Sequence, residues 1–499
     1  MNFNWSETMS GMAKFMSHSY LQEIRIIFGS MLALLVSANI NAGCKNSVGD
    51  EIGASQRPLN VLLITSDDLG KQLSCYGDDI IQTPNIDGLA ASGVMFHNAY
   101  VSQASCSSSR SSILTGTYPH TNGQMGLAHL GFKLEKEYPN LASVLKEQGY
   151  KTGIIGKLHV NPESIFPFDF DRKNYLEARD VGLVASRVDS FITMSGKEPF
   201  FLYVNYSDPH VPFFRDFNGH PIKQVNPADV HEFAFQGVDD EGELQRIADY
   251  YCCVRRLDEG VGMLRNKLEK HGLLENTLII FIGDHGAPFS RGKAAAYESS
   301  TNIPYFVSCP EFISKGQQSD ALVSTVDIFP TVLTALGLAI PDEVQGKSIV
   351  PILKNEQTDV REYLFTEFNY HGRSITSFYP RRAVRDERYK LIINLPSPTI
   401  PNGITSIDGD KAYSFSQTAK YDGTWVREIF GRLKNPPKIE LFDLLNDPYE
   451  KNDLSDDISL DNKKEELLEQ VLNWMVTTGD PFLEPEEVEK EIENLQSGS

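Results

Sequence analysis

Four short apolar runs, each closed by acids, histidine or lysine, constrain this sequence more than any other feature. Asn60-Val-Leu-Leu-Ile-Thr65 runs into Ser66-Asp67-Asp68, and Lys151-Thr-Gly-Ile-Ile155 into Gly156-Lys157-Leu158-His159. Pro199-Phe-Phe-Leu-Tyr-Val204 leads to Ser207-Asp208-Pro209-His210, and Thr277-Leu-Ile-Ile-Phe-Ile282 to Gly283-Asp284-His285-Gly286. Nearly continuous apolar runs read as strands covered on both faces, the habit of parallel sheets, because a half-exposed strand would alternate. Between them lie helix candidates at Asn85–Ala91, Asn140–Gln148 and Glu243–His271, and Gly149 and Gly272 follow two of these as stop signals. The alternation predicts an α/β sandwich with a mostly parallel central sheet flanked by helices. Ligands of such sheets bind beyond the carboxyl ends of the strands. The four polar clusters are therefore expected to line one pocket. Each cluster alone also fits a turn or a helix cap; their shared position is what points to chemistry.

Around residue 360 the pattern changes. Glu362–Thr366, Arg382–Arg385, Tyr389–Ile393 and Glu440–Asp443 read as strands joined by hairpins and loops, with a closing helix near Lys463–Val476. They predict a smaller C-terminal α+β domain with an antiparallel sheet. The 499 residues exceed what one hydrophobic core organises. The expected organisation is a targeting segment at 1–44, a polar linker at 45–57, a catalytic domain at 58–360, the α+β domain at 361–482, and a charged tail at 483–499, read as a solvated helix or tail.

The targeting segment rests on Ile26–Ile40, a short apolar run behind Arg25 that suits a signal-peptide core better than a membrane span. It ends in Asn41-Ala42-Gly43-Cys44, small residues before a cysteine as at a bacterial lipoprotein cleavage site. Lipidation of Cys44 and plain signal-peptide cleavage both stay open, and either implies export to the periplasm or a membrane anchor there. Met9, Met12 and Met16 are alternative starts. Cys75, Cys252, Cys253 and Cys309 fit disulfides or buried thiols equally, since spacing does not fix pairing. With 46 Lys+Arg against 67 Asp+Glu, the chain is not built for nucleic acid or an anionic membrane surface. An anionic substrate would need positive charge gathered locally against that global field.

Asp67, Asp68 and Asp284, with His285, form a set able to hold one divalent cation. Carboxylate-dominated sites suit Ca²⁺ or Mg²⁺, and the imidazole leaves Mn²⁺ and Zn²⁺ as weaker alternatives. The stretch Ser105-Cys106-Ser-Ser-Ser109-Arg110, closed by Thr115-Gly116, reads as a helix starting at Cys106. Arg110 lies one turn on, on the same face, and both the helix N-terminus and the guanidinium favour an anion there. The bland alternative is a serine-rich capped helix with a buried cysteine.

With these motifs in place, the sequence resembles the type I sulfatases of the alkaline-phosphatase superfamily, from about Asn60 to about Phe482. Their hallmark Cys-x-Pro-x-Arg followed by Thr-Gly is matched by Cys106-Ser-Ser108-Ser-Arg110 and Thr115-Gly116, with Ser108 in the place of proline. Gly153–Phe170, Pro199–Val204, Gly286-Ala-Pro-Phe289 and Leu441–Pro448 are similar to the heparan N-sulfatase branch. The resemblance implies an alkaline-phosphatase-like sandwich. It implies oxidation of Cys106 to formylglycine by a maturation enzyme that reads this motif, from which Ser108 is the departure. It places a cation, calcium first and magnesium second, on Asp67, Asp68, Asp284, His285 and residue 106. Arg110, Lys157 and Lys293 would stabilise charge on the transferring group, with Arg291 the rival for Lys293. His159 would be the base that collapses the hydrate, and His210 would protonate the departing atom. The implied substrate is a sulfated saccharide, foremost the N-sulfo group of glucosamine in heparin or heparan sulfate fragments, in a pocket including His120, His129 and loops of the C-terminal domain. Alternatives are an O-sulfatase on another glycan, a phosphodiester or phosphonate hydrolase, and a silent glycan-binding lipoprotein with unmatured Cys106. A homodimer is compatible with all of them.

Overall fold

The structure, a computed structural model, describes residues 58–497. The expectations for the targeting segment, Cys44 and the linker lie outside the described residues. Ten strands precede residue 330 among the described residues: β1 (Asn60–Asp67), β2 (Val94–Phe96), β3 (Ala99–Tyr100), β4 (Lys151–Gly156), β5 (Phe170–Lys173), β6 (Phe200–Pro209), β7 (Thr277–Gly283), β8 (Tyr305–Ser308), β9 (Gln317–Ser319) and β10 (Val323–Ser324). Eight form one sheet in the order β5-β4-β6-β1-β7-β8-β2-β9, and β3 pairs with β10. β1 is parallel to β6 and β7, and β4 is parallel to β5 and β6. Only β8 runs against its neighbours within this sheet.

Both faces are covered, which is why the strand sequences do not alternate. Val61 and Leu63 of β1 enter one core with Ile113, Leu141, Leu145 and Phe329. Leu62 and Ile64 enter the other with Val188, Phe191, Val254 and Leu257. The first face is therefore closed by the helices Cys106–Thr115, Leu141–Glu147 and Ile328–Ala335, and the second by Val181–Ser195 and Glu241–Lys270. Each such aliphatic side chain taken fully out of water contributes about 1.5–3 kcal/mol. Asn140 caps rather than begins its helix: its side chain accepts from the Ser143 N–H, and the Ser143 hydroxyl accepts in return from the Asn140 N–H.

The second sheet is antiparallel, in the order β11 (Leu364–Tyr370), β12 (Phe378–Arg385), β13 (Tyr389–Asn394), β14 (Ile439–Asp443). The helix Asp461–Thr478 packs Leu467, Val471, Trp474 and Met475 against Val384, Leu391 and Leu441. The charged segment expected as a solvated helix or tail is a helix packed on one side. Pro485–Ser497 is a helix whose Val488 and Ile492, one turn apart, are buried in that same core while its charges face outward. Cys75, Cys252, Cys253 and Cys309 are free thiols. No helix among the described residues is long and apolar enough to cross a membrane.

Candidate active site

The carboxyl ends of β1, β4, β6 and β7 converge, and the register of the sheet sets how. β1 keeps step with β6 to Ser66, then shifts so that Asp67 lies opposite Pro209, and the Ser66 hydroxyl donates to the Asp208 carbonyl at 2.7 Å. Asp68 then turns into the left-handed region at φ 68°. Its N–H donates to Asp284 Oδ1 at 2.9 Å, while the Asp284 N–H donates to the Ser66 carbonyl at 2.9 Å. Gly283 permits this crossing, since a Cβ there would overlap the carbonyl oxygen of Leu69. Gly156 does the same for β4: at φ 94° it passes the Asn205 carbonyl where no side chain fits, and delivers Lys157 and His159.

Cys106 opens the buried helix Cys106–Thr115, and Gly116 closes it in the left-handed conformation. The thiol sulfur is 3.3 Å from His285 Nε2 and 3.9 Å from Asp68 Oδ1. Donor atoms of Asp68, Cys106 and His285 lie within 4.8 Å of one another, and so do those of Asp67, Cys106 and Asp284. His285 Nδ1 lies 3.0 Å from the Gly286 carbonyl and donates to it, so Nε2 is the ring atom that faces Asp68 Oδ1, 3.1 Å away.

The carboxylates are strongly perturbed. Burial would raise Asp67, yet the Lys157 ammonium, with His210 and Arg110, holds it well below the usual range. Burial wins at Asp68, which is raised, and at Asp284, which is pushed up to about 7 despite His285 and Arg110. His285 is disfavoured as a cation by burial, but Asp284 and its neighbours carry it up to about 10. Burial also works against a thiolate at Cys106; Lys157, Lys293 and His285 overcome it and bring the thiol well below its ordinary value.

The predicted basic residues occupy three different positions. Lys157 Nζ sits 2.8 Å from Asp67 and retains some exposure. Lys293 Nζ lies between Asp68 at 2.9 Å and Asp408 at 2.7 Å. Arg110 stands behind the carboxylates rather than at the cleft. It is fully buried, Nε donates to Asp284 at 3.0 Å, Nη2 to Asp67 at 3.2 Å, and Nη1 to the Lys157 carbonyl at 3.1 Å and Asn205 Oδ1 at 2.5 Å. Every nitrogen is engaged, two of them on these acids. Arg291 also points away: Nη2 donates to the Tyr449 and Glu450 carbonyls and the guanidinium lies over Tyr297, so Lys293 is the basic residue at the centre.

His210 Nδ1 lies 2.6 Å from the Val211 carbonyl, leaving Nε2 to face Asp68 at 3.8 Å. Burial would lower this imidazole, but Asp68 raises it above its ordinary value. His159 adopts φ 56° and stacks on His129, with Nε2 2.9 Å from His129 Nδ1. Burial lowers His159. His120, expected in a substrate pocket, is not there. Its side chain is fully buried, with Nδ1 on Glu367 at 2.6 Å and Nε2 on Thr478 at 2.8 Å, so no face is left for a sugar.

Sequence reasoning missed several contributors. Asp208 reads as a turn, but is a buried anchor gripped by Arg179 at 2.7 Å and Arg256 at 2.6 and 2.8 Å. Asn205, midway along β6, lies against Arg110. His371 and Asp408 arrive from beyond residue 360; burial pulls His371 down to about 4, aided by Lys293. Their only sequence signal is residue type within long loops.

A sulfatase family model matches residues 59–338, and a model of the N-sulphoglucosamine sulphohydrolase C-terminal region matches residues 283–399. The human N-sulphoglucosamine sulphohydrolase is 31% identical over 468 residues, covering 86% of this chain and 92% of that protein. An ulvan-active sulfatase of Formosa agariphila is 27% identical, covering 85% of this chain and 81% of that protein. A solved structure in complex with its substrate D-glucosamine-2-N,6-O-disulfate superposes with TM-score 0.62 at 22% identity, covering 85% of this chain and 99% of that one. At that identity the likeness is one of fold.

Proposed function

This chain belongs to the sulfatase family, whose members hydrolyse sulfate esters or sulfamates, and on that premise we propose that it removes the N-sulfo group of glucosamine in heparin or heparan sulfate fragments. The observation that carries the reading is that the region similar to the N-sulphoglucosamine sulphohydrolase C-terminus reaches the cleft itself, through Lys293 beside Asp68. In this reading residues 58–360 form the catalytic domain and 361–482 a second domain whose loops complete the cleft.

The donor set fits a hard divalent cation. Three fully buried carboxylates converge, burial drives two of them toward the neutral form, and His285 Nε2 faces them. Asp67, Asp68, Asp284, His285 and residue 106 would hold it, calcium first and magnesium as the alternative. Bound there, it supplies Lewis acidity and two positive charges. Those charges also resolve the conflict with the acidic chain. The ion would add two positive charges to those of Lys157 and Lys293 where a sulfate would sit.

Cys106 would be converted to formylglycine by a maturation enzyme, and the hydrated aldehyde supplies two hydroxyls, one to accept the sulfuryl group and one to expel sulfate. The chain's own residues divide the remaining tasks. Lys157 and Lys293 bind the sulfuryl oxygens and offset their charge. Arg110 holds Asp67 and Asp284 in place. His159, kept neutral by burial, accepts a proton during sulfate release. His210 holds a proton on Nε2, its Nδ1–H fixed by Val211, and delivers it to the departing nitrogen. Export through residues 1–44, with or without a lipid on Cys44, belongs to the same proposal, as does an association into homodimers.

Sulfate release from N-sulfoglucosamine, set against 6-O-sulfated N-acetylglucosamine, tests the reading. Turnover of the first and not the second is expected. The reverse preference would make this chain an O-sulfatase on another glycan and overturn the N-sulfo assignment.

A further inference from the structure

Asp408 belongs to none of the sequence motifs, yet it sits at the centre of the cleft. Its backbone takes φ 52°, an unusual conformation for a side-chain-bearing residue, and the loop is tied down around it. Arg246 Nη2 donates to the Asp408 carbonyl at 3.0 Å and to the Pro288 carbonyl at 3.1 Å. Two residues on, buried Asp410 accepts from the Ser290 N–H and, at 3.2 Å, from Gln236 Nε2. So fixed, Asp408 places Oδ2 2.7 Å from Lys293 Nζ. Its other oxygen, Oδ1, has no hydrogen-bond partner among the described residues, and the side chain keeps 18% exposure. Ligand atoms of Asp408, His210 and Asp68 lie within 4.8 Å of one another. A carboxylate with one oxygen pinned and one open therefore stands beside the imidazole assigned to the leaving atom.

The two classes of sulfated substrate differ in charge at that atom. When an S–N bond breaks, its electron pair stays on nitrogen. The nitrogen takes one proton from His210 to become an amine and a second from water to become an ammonium, while sulfur leaves as sulfate with an oxygen drawn in the net reaction from water. When an S–O bond breaks, the oxygen takes one proton and stops as a neutral alcohol. Only the first path builds a cation.

We propose that Asp408 is a specificity-determining residue, its free carboxylate oxygen receiving the leaving amine as it becomes cationic and so favouring N-sulfo over O-sulfo substrates. This rests on the N-sulfoglucosamine reading above, and a single comparison keeps the two apart. Full-length matured protein and its Asp408→Asn variant are assayed on N-sulfoglucosamine and on 4-nitrophenyl sulfate, an O-sulfate whose leaving group never becomes a cation. Inhibition by glucosamine and by N-acetylglucosamine is measured alongside. The variant is expected to lose at least tenfold in the ratio of kcat/KM for the N-sulfo over the O-sulfo substrate. The preference of the wild type for glucosamine over N-acetylglucosamine as inhibitor is expected to fall by a similar factor. Equal losses on both substrates with the inhibitor preference intact would overturn the inference, leaving Asp408 as a support for Lys293. No sulfate release from N-sulfoglucosamine by the wild type would instead sink the reading beneath it. Should Asp408→Asn not fold, Asp408→Ser carries the same ratios.

Discussion

Replacing Asp208 with Asn separates the ion-pair scaffold of the site from its chemistry. Asp208 is 1% exposed and is the only carboxylate that Arg179 and Arg256 share among the described residues. Their other hydrogen bonds go to neutral groups, Arg179 to the His210 and Val211 carbonyls and the Tyr175 hydroxyl, Arg256 to the Phe214 and His220 carbonyls and Cys253 Sγ. Asn keeps the shape and removes the charge, so two buried guanidiniums lose their counter-ion. Breaking a buried pair by one partner costs about 3–5 kcal/mol, because the remaining charge is left unpaired. With an unfolding entropy of about 2.1 cal/mol/K per residue, the 440 described residues convert that cost to a Tm lower by about 3–5 °C. Activity falls too, since Arg179 fixes the His210 carbonyl at 2.8 Å and thereby aims the ring. A displacement that weakens proton delivery by ~1.4 kcal/mol is a tenfold loss in kcat. Thermal melts and sulfate release on the same preparation read both quantities. A Tm within 1 °C of wild type, by the same ~2.1 cal/mol/K scale, together with full turnover would refute the argument that this clamp positions His210.

Three further outcomes are expected. Gly156→Ala, at φ 94° and against the Asn205 carbonyl, should cost more than about 1 kcal/mol and lower activity through Lys157 and His159; denaturant unfolding reads the first and kinetics the second. The pH profile of kcat/KM should be a broad bell. It rises as His159 loses its proton below the ordinary histidine value, and falls as His210 loses its proton above that value, so His210→Asn should remove the alkaline limb alone. Dialysis against a chelator should abolish sulfate release and lower Tm, and calcium should restore both; at a hundredfold excess over Kd a bound ion stabilises by ~2.7 kcal/mol.

The fold was legible where burial was uniform. β1, β4, β6 and β7 sit between two helix layers, so their runs are apolar throughout and their ends stand out as polar breaks. The cluster of acids stood out for the same reason: Asp67 ends β1, Asp68 follows it, and Asp284 follows β7. What escaped depends on partners far apart in sequence. Asp208 looks like a turn until Arg179 and Arg256 are brought to it. Arg110 looks like an anion binder until Asp67, Asp284 and Asn205 engage each of its nitrogens. Asp408 and His371 lie in irregular loops with no periodicity to read, and only packing of the second sheet's connections against the first brings them to Lys293. The C-terminal helix hid its packing because three apolar residues, Val488, Ile492 and Leu495, stand among many charges and do not outweigh composition.

The account turns on residue 106 carrying an aldehyde when the enzyme works, with Ser108 tolerated by whatever installs it. Mass spectrometry of the peptide containing residues 105–110, taken from protein that releases sulfate, measures this directly. The predicted result is an aldehyde in place of the thiol, in a fraction that scales with specific activity across preparations. An intact Cys106 thiol throughout fully active protein would contradict it.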